Sequence, residues 1–133
     1  MASERHLQYA AADYFRTVLD SSVLWFHPMN EGKRGYRGQA DFVRGGALPG
    51  LSDFVLIWGG KVGFIELKAP KGRLSPAQKD FRERCAALGH YWVVIRDLDT
   101  LRAVLDAWGI PLRPHKLFAS GAVKLVEDGH ASR

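Results

Sequence analysis

In the stretch Leu51–Lys68, LSDFVLIWGGKVGFIELK, two apolar runs lie on either side of Gly59-Gly60. Two such runs separated by two glycines are typical of a β-hairpin with a two-residue turn. Apolar residues fall on both faces of each strand, which predicts a sheet covered on both sides, as in α/β proteins. Glu66 and Lys68 interrupt this pattern with a carboxylate and an ammonium on one face.

The turn also fixes which side chains of the hairpin meet. It pairs Trp58 with Lys61, and this register places Asp53 directly opposite Glu66, with Lys68 on the same face. The Cβ atoms of opposed residues lie only ~4.5–5.5 Å apart, so two carboxylates there repel each other unless a cation lies between them. Lys68 supplies one positive charge, and a divalent ion would supply more. Oxygen-only ligands favour Mg²⁺ or Mn²⁺ over zinc.

The same three residues have a second interpretation. Asp53, Lys68 and Glu66 would also form a structural ion network at the end of the hairpin, without any catalysis. A shift of one residue in the pairing would separate the two acids entirely, because it would turn one of them to the other face of the sheet.

Composition limits the class of protein. The 133 residues predict one domain with a single core, and the hydrophobic fraction of 47% is that of an ordinary soluble protein. The net charge of +5 and the pI of about 9.6 favour a polyanionic partner, with nucleic acid as the first candidate. A single cysteine, Cys85, excludes an internal disulfide and a Cys-x-x-Cys zinc site. Without an apolar signal segment or a membrane-length apolar run, we expect a cytoplasmic protein that does not enter a membrane.

The N-terminal part of the chain predicts an amphipathic helix over residues 4–20, with Ser3 as its N-cap. Glu4 lies along the buried stripe of this helix, where a carboxylate needs a partner. Alternatively, Glu4 is there because acidic residues are favoured in the first turn of any helix. The predicted stripe consists of Leu7, Ala10, Ala11, Tyr14, Phe15, Val18 and Leu19.

The rest of the chain predicts strands and helices around the hairpin. We expect a strand over 23–26, a Gly-rich basic loop over 30–38, a short helical turn within 39–46, a helix from Pro76 to Gly89, a strand over 91–95, and a last helix capped by Asp99 and closed by Gly109. The helix from Pro76 should bury Phe81, Cys85 and Leu88. The order is α-β-β-β-α-β-α, and a crossover helix after Lys68 would make the sheet mixed.

The pattern of charged residues in the hairpin resembles that of the PD-(D/E)XK nuclease superfamily, which has an acid at the head of one strand and Glu-x-Lys on the next. Here these residues are Asp53 and Glu66-Leu67-Lys68, with Ser52 in place of the usual proline.

The surroundings are similar to the VRR-NUC branch, the virus-type replication-repair nuclease domain. They include NEGKR with Asn30 and Arg34, the Gly-rich turn GGALPGLSD, and FIELKAPKGRLSPAQKDFRERCAALGHYWVVI, over roughly residues 25–108. The resemblance implies an α/β fold with a restriction-endonuclease-like core, a mixed central sheet flanked by helices, a nuclease domain over 1–112, and a tail over 113–133 that is an edge strand or flexible.

The resemblance implies a Mg²⁺- or Mn²⁺-dependent DNA endonuclease, with a likeness to homodimeric Holliday-junction resolvases that cut branched DNA. Asp53, Glu66 and the backbone carbonyl of Leu67 would hold the metal. The implied catalytic residues are Asp53, Glu66, Lys68, Gln78 and Glu4. The residues expected to contact DNA are Asn30, Lys33, Arg34, Arg37, Lys71 and Arg73.

Several alternatives stay open at the level of sequence. Gln78 also fits a capping box with Ser75, and its amide would not easily serve both the cap and the active site. A non-catalytic DNA-binding module, in which the acids are structural, is the other class of function. A serine hydrolase, a P-loop protein and a histidine zinc site are disfavoured because their motifs are missing. His27 is expected to be a surface or packed histidine rather than a substrate contact.

Overall fold

The computed structural model describes residues 3–29 and 36–114. Within these residues the helices and strands follow the order α-β-α-β-β-α-β-α, with the predicted hairpin at the centre. The elements are α1 (Glu4–Val18), β1 (Leu24–Phe26), α2 (Tyr36–Arg44), β2 (Phe54–Trp58), β3 (Lys61–Leu67), α3 (Pro76–Leu88), β4 (Tyr91–Ile95) and α4 (Leu98–Trp108).

The four described strands form one mixed sheet in the order β1-β2-β3-β4. β2 pairs with both β1 and β3 in antiparallel fashion, and β4 returns parallel to β3 after the crossover through α3. Trp58 pairs with Lys61, as the two-glycine turn predicts. Gly59 and Gly60 have φ angles of 48° and 79°, which side chains rarely tolerate. The predicted mixed α/β sheet flanked by helices is therefore confirmed.

The segment before β2 is more helical than predicted. α2 spans nine residues, Tyr36–Arg44, where the sequence predicted only a short turn from residue 39. Arg37 consequently lies in a helix and not in the basic loop. The prediction placed Gly38 in the Gly-rich loop, but this glycine is tolerated inside the helix.

The ends of the other helices follow local capping chemistry, with one correction. The Asp97 side chain, not that of Asp99, caps α4 by accepting a hydrogen bond from the Thr100 amide. The helix begins at Leu98, so Asp99 already lies inside its first turn, where its side chain is beyond the N-cap position. Gly109 closes α4 in the left-handed conformation, as predicted.

The main core lies on the face of the sheet that is covered by α1 and α4. Phe54, Leu56 and Ile65 are almost completely buried there, and Phe15 of α1 meets Phe54 edge-on with ring centroids 5.1 Å apart. Gly63 leaves room for Trp108 of α4, since a Cβ at this position would lie 2.5 Å from the indole ring.

The opposite face of the sheet is less completely covered than predicted. α3 packs there through Phe81, whose ring meets that of Phe64 edge-on at 5.0 Å, whereas Ile57 and Val62 stay only partly buried. Leu88, which was expected in the stripe of α3, is 71% exposed because it lies in the last turn, beyond the edge of the sheet.

The chain after α4 returns to the end of α1. The Arg113 amide donates to the Val18 carbonyl, and the Asp20 amide donates to the Pro111 carbonyl. Residues 115–133, most of the predicted tail, lie outside the described residues. No helix of the described part of the chain is long and apolar enough to cross a membrane.

Candidate active site

The candidate site centres on two acids at the end of the hairpin that is opposite the glycine turn, the half-buried Asp53 and the buried Glu66. Asp53 immediately precedes β2, and its Oδ2 accepts a hydrogen bond of 2.7 Å from the Leu67 amide of β3. Glu66 is only 3% exposed, although it carries a carboxyl group. The two carboxyl groups are close enough to share a hydrogen bond. The register therefore brings the two predicted acids together on one face of the sheet.

Burial raises the free energy of ionising both acids of this pair. Desolvation is the main cause that raises the pKa of Asp53, against the Leu67 amide, which lowers it. Burial, and then the charge of Asp53, raises the pKa of Glu66 to about 8. At neutral pH Glu66 therefore keeps its proton, and the pair carries at most one negative charge.

Lys68 supplies part of that positive charge. It follows β3 directly, and its backbone amide continues the parallel pairing by donating to the Ile95 carbonyl. Its Nζ lies 3.9 Å from Glu66 Oε2, and its side chain is 12% exposed. The charge of Lys68 lowers the pKa of Glu66, but burial and Asp53 outweigh it. Lys68 can balance one carboxylate while Glu66 is protonated, but one negative charge is left over when both acids are ionised.

Gln78 makes both the capping contacts and a contact with Glu66, which the sequence presented as competing. The Gln78 side-chain Oε1 accepts a hydrogen bond from the Ser75 backbone N–H, and the Gln78 backbone N–H donates to Ser75 Oγ. This reciprocal pair is a capping box. The same side chain donates from Nε2 to Glu66 Oε2 at 2.9 Å. The expectation that one conformation could not serve both was wrong, because an amide has an acceptor at one end and a donor at the other.

The turn before Asp53 is fitted closely against the start of α3. Gly50 has a φ of 81°, and a Cβ there would lie 2.2 Å from the Ala77 carbonyl oxygen and 2.9 Å from the Gln78 nitrogen. Only glycine allows this approach. Gly50 thereby sets how near Gln78 stands to the acid pair.

The remaining predicted residues lie around this centre. Glu4 is exposed at the start of α1, and its charge is near enough to raise the pKa of both Asp53 and Glu66. Lys71 and Arg73 are exposed in the loop between β3 and α3. Arg37 belongs to α2. Asn30, Lys33 and Arg34 lie outside the described residues.

Two residues near the site have contacts that the sequence analysis did not find. Arg96 Nη1 donates to the carbonyls of Ala69, Pro70 and Gly72, and so organises the loop that carries Lys71. The parallel crossover was the available signal, because it places the residue after β4 beside the residues after β3. His27 is packed, as expected, with its Nδ1 2.6 Å from the Asp53 carbonyl oxygen, which makes Nδ1 the donor.

The donor set fits a hard divalent cation. Asp53, Glu66 and the Leu67 carbonyl would supply oxygen ligands, and a divalent ion would balance the second negative charge that forms when Glu66 loses its proton. Residues 3–29 and 36–114 contain no cluster of three or more His, Cys, Asp and Glu side chains arranged to hold a metal. A set of two carboxylates and a backbone carbonyl does not require such a cluster.

The raised pKa of Glu66 predicts a pH-dependent stability. The folded form keeps a proton on Glu66 up to about pH 8, whereas the unfolded chain releases it near 4.5. In EDTA the free energy of unfolding should therefore fall as the pH rises from about 5 to 8, by at most ~1.4 kcal/mol per pH unit. Glu66→Gln should flatten this slope in urea unfolding at several pH values, and an unchanged slope would contradict the shift.

The comparisons with known proteins support the fold. A scan against protein-family models gave no match, and no curated protein matched the sequence. Among solved structures, a protein described as a VRR_NUC domain protein matches with a TM-score of 0.67 and 20% identity, over 84% of this chain and 92% of the other. The chain thus has the mixed α/β fold of a VRR-NUC domain, as the motifs predict.

Proposed function

We propose that this protein is a metal-dependent DNA endonuclease that hydrolyses phosphodiester bonds. One observation carries the proposal, namely that Asp53 and Glu66 meet on one face of the sheet while Lys68 Nζ lies 3.9 Å from Glu66 Oε2. Two acids and one amine in a largely buried position are costly for folding, so a functional role accounts for them better than stability does.

Asp53, Glu66 and the Leu67 carbonyl would hold Mg²⁺ or Mn²⁺. When bound, the ion supplies positive charge and Lewis acidity at the scissile phosphate. Gln78 fixes the orientation of the Glu66 carboxyl through its 2.9 Å hydrogen bond. Lys68 orients or deprotonates the attacking water, or balances the negative charge that develops on the phosphate.

The substrate side of the proposal rests on charge. The chain carries 19 Lys and Arg residues against 14 Asp and Glu residues, and Lys71 and Arg73 are exposed on the loop that follows Lys68. Such residues contact phosphates without reading sequence. We infer a structure-specific activity on branched DNA by a homodimer, with Glu4 and the basic residues 30–37 near the substrate.

The experiment that tests this function is a cleavage panel of junction, flap, nicked and linear DNA with Mg²⁺ or Mn²⁺. The wild-type protein should cut at least one branched DNA, and EDTA should abolish the cut. Asp53→Asn keeps an oxygen acceptor for the Leu67 amide but removes the charge, so cleavage should fall by about 10²-fold or more. The matched control is Asp106→Asn, which removes the charge of an exposed aspartate on α4 and should leave cleavage unchanged.

The same panel separates the endonuclease from a non-catalytic DNA-binding module. A binding module would retain its affinity in EDTA, would cut none of the DNAs, and would bind equally well after Asp53→Asn. That set of results would replace the proposed function with the alternative in which Asp53, Lys68 and Glu66 form a structural ion network.

A further inference from the structure

A cleft of about 460 Å³ lies between α1 and the strands β1 and β2, on the face of the sheet opposite α3. Its volume lies in the range of sites that bind small ligands. Trp25 and Phe54 line it with rings whose centroids are 6.0 Å apart, but Phe54 is only 1% exposed. The accessible rings are therefore those of the half-buried Trp25 and of Tyr9 on α1, which is 58% exposed. Arg16 extends over the Trp25 ring, with its guanidinium carbon 5.6 Å from the ring centroid.

The cleft adjoins the candidate active site through one residue. His27 is part of its lining, and its Nδ1 donates to the backbone carbonyl of Asp53 at 2.6 Å. Phe54, the residue after Asp53, has its ring in the lining of the cleft, while the Asp53 carboxyl group is directed to Glu66. The cleft and the acid pair therefore lie on opposite faces of the sheet, with His27 near enough to influence the Asp53 carboxyl group, so a strand of DNA whose phosphate lies at the acid pair would reach the cleft past His27.

Resting on the proposed function, we propose that this cleft binds an unpaired nucleobase of the DNA substrate, next to the phosphate that is cut. Aromatic rings stack on the face of any base, and a guanidinium adds a planar cationic surface. A base within a continuous duplex is already stacked and cannot enter, so the cleft selects DNA with splayed or single-stranded nucleotides. This deepens the proposed preference for branched DNA by naming the group that is recognised.

The composition of the lining favours a base over a purely apolar ligand. Gln8 and Asp13 place an amide and a carboxylate within reach of the cleft, and these can hydrogen bond to the edge of a base that stacks on the rings. Asp13 accepts a hydrogen bond from Arg16 at 3.1 Å, so the guanidinium is held in place at the rim. Because their charges offset each other, the stacking surface is the main source of affinity.

The test measures binding and not cleavage, so that it is independent of the proposed catalytic residues. The probe is a fluorescent splayed-arm DNA with a natural single-stranded arm, compared with the same DNA whose arm carries abasic sugars and an equal number of phosphates. With Ca²⁺ in place of Mg²⁺ or Mn²⁺, the wild-type protein should bind the natural arm about tenfold more tightly. Tyr9→Ala should lose about fivefold or more on the natural arm and nothing on the abasic arm.

Two variants and one further measurement control this experiment. Tyr9→Phe keeps the ring and should bind like the wild type, and Leu88→Ala removes a large exposed side chain on α3 without effect. 5-Iododeoxyuridine in the arm should photocrosslink to the peptides that carry Tyr9 or Trp25. Equal wild-type affinity for the two arms, or an equal loss on both arms in Tyr9→Ala, would overturn the base site. Absence of cleavage together with intact discrimination would overturn the nuclease and leave the base site standing.

Discussion

Lys68→Ala should reduce the rate of DNA cleavage by about 10²- to 10³-fold at saturating Mg²⁺ or Mn²⁺, which is the effect of removing one group that stabilises developing charge. Two causes contribute. The amine 3.9 Å from Glu66 Oε2 is lost from the reacting centre, and the pKa of Glu66 rises further because the charge of Lys68 was lowering it. The measurement is a single-turnover cleavage rate over a metal titration.

Lys61→Ala is the matched control, because Lys61 lies on the same strand and is exposed beside the glycine turn at the other end of the hairpin. It removes the same charge from the protein without touching the acid pair. If Lys61→Ala reduced the rate as much as Lys68→Ala, only the net charge would matter and the role of Lys68 in the site would be wrong. Full recovery of Lys68→Ala at high metal concentration would limit Lys68 to assisting metal binding.

Gly50→Ala should destabilise the protein by about 2–5 kcal/mol and impair cleavage as well. The added Cβ would lie 2.2 Å from the Ala77 carbonyl oxygen, and the φ of 81° is unfavourable for alanine. Strain at such a φ costs ~1–2 kcal/mol, and overpacking against a backbone adds ~1–3 kcal/mol. Thermal unfolding should show a melting temperature lower by about 10 °C. Movement of the start of α3 also displaces Gln78 from Glu66.

Gly46→Ala separates the two costs of Gly50→Ala. Gly46 also has a positive φ, 106°, but a Cβ there meets nothing within 4 Å. Gly46→Ala should therefore carry the backbone strain alone and leave the cleavage rate at 25 °C unchanged. If the two variants unfolded at the same temperature, the close contact between the Gly50 turn and α3 would not be important for stability.

Much of the site could be predicted from the sequence because a two-residue turn leaves little freedom. Once Gly59-Gly60 is placed, each residue of β2 has one partner on β3, and Asp53, Glu66 and Lys68 must share a face. The capping box of Ser75 and Gln78 could also be predicted, because its two residues lie three apart in the sequence. These predictions depend on contacts between near neighbours in the chain or across one tight turn.

Predictions failed where the decisive partner is remote in sequence or where one residue satisfies two partners. The length of α2 and the exposure of Leu88 depend on where each helix starts and where the sheet beneath it ends. The Asp97 cap was missed although its partner Thr100 is near in sequence, because Asp97 and Asp99 are equally suited to an N-cap. The hydrogen bond from Gln78 to Glu66 depends on the distance between α3 and β3, and this distance cannot be deduced from the spacing of residues along the chain. The cleft beside Trp25 likewise exists only after α1 has packed on the sheet.

The two acids that meet, and the lysine that accompanies them, follow from the order of amino acids because turn length fixes the register of a hairpin. The burial of those acids, which raises the pKa of Glu66 to about 8, depends on how the helices pack on the sheet. It also decided that Gln78 reaches Glu66 and that the carbonyls of the loop after β3 gather around Arg96. Desolvation and contacts between distant segments depend on the packing of all elements together, whereas register depends on one turn.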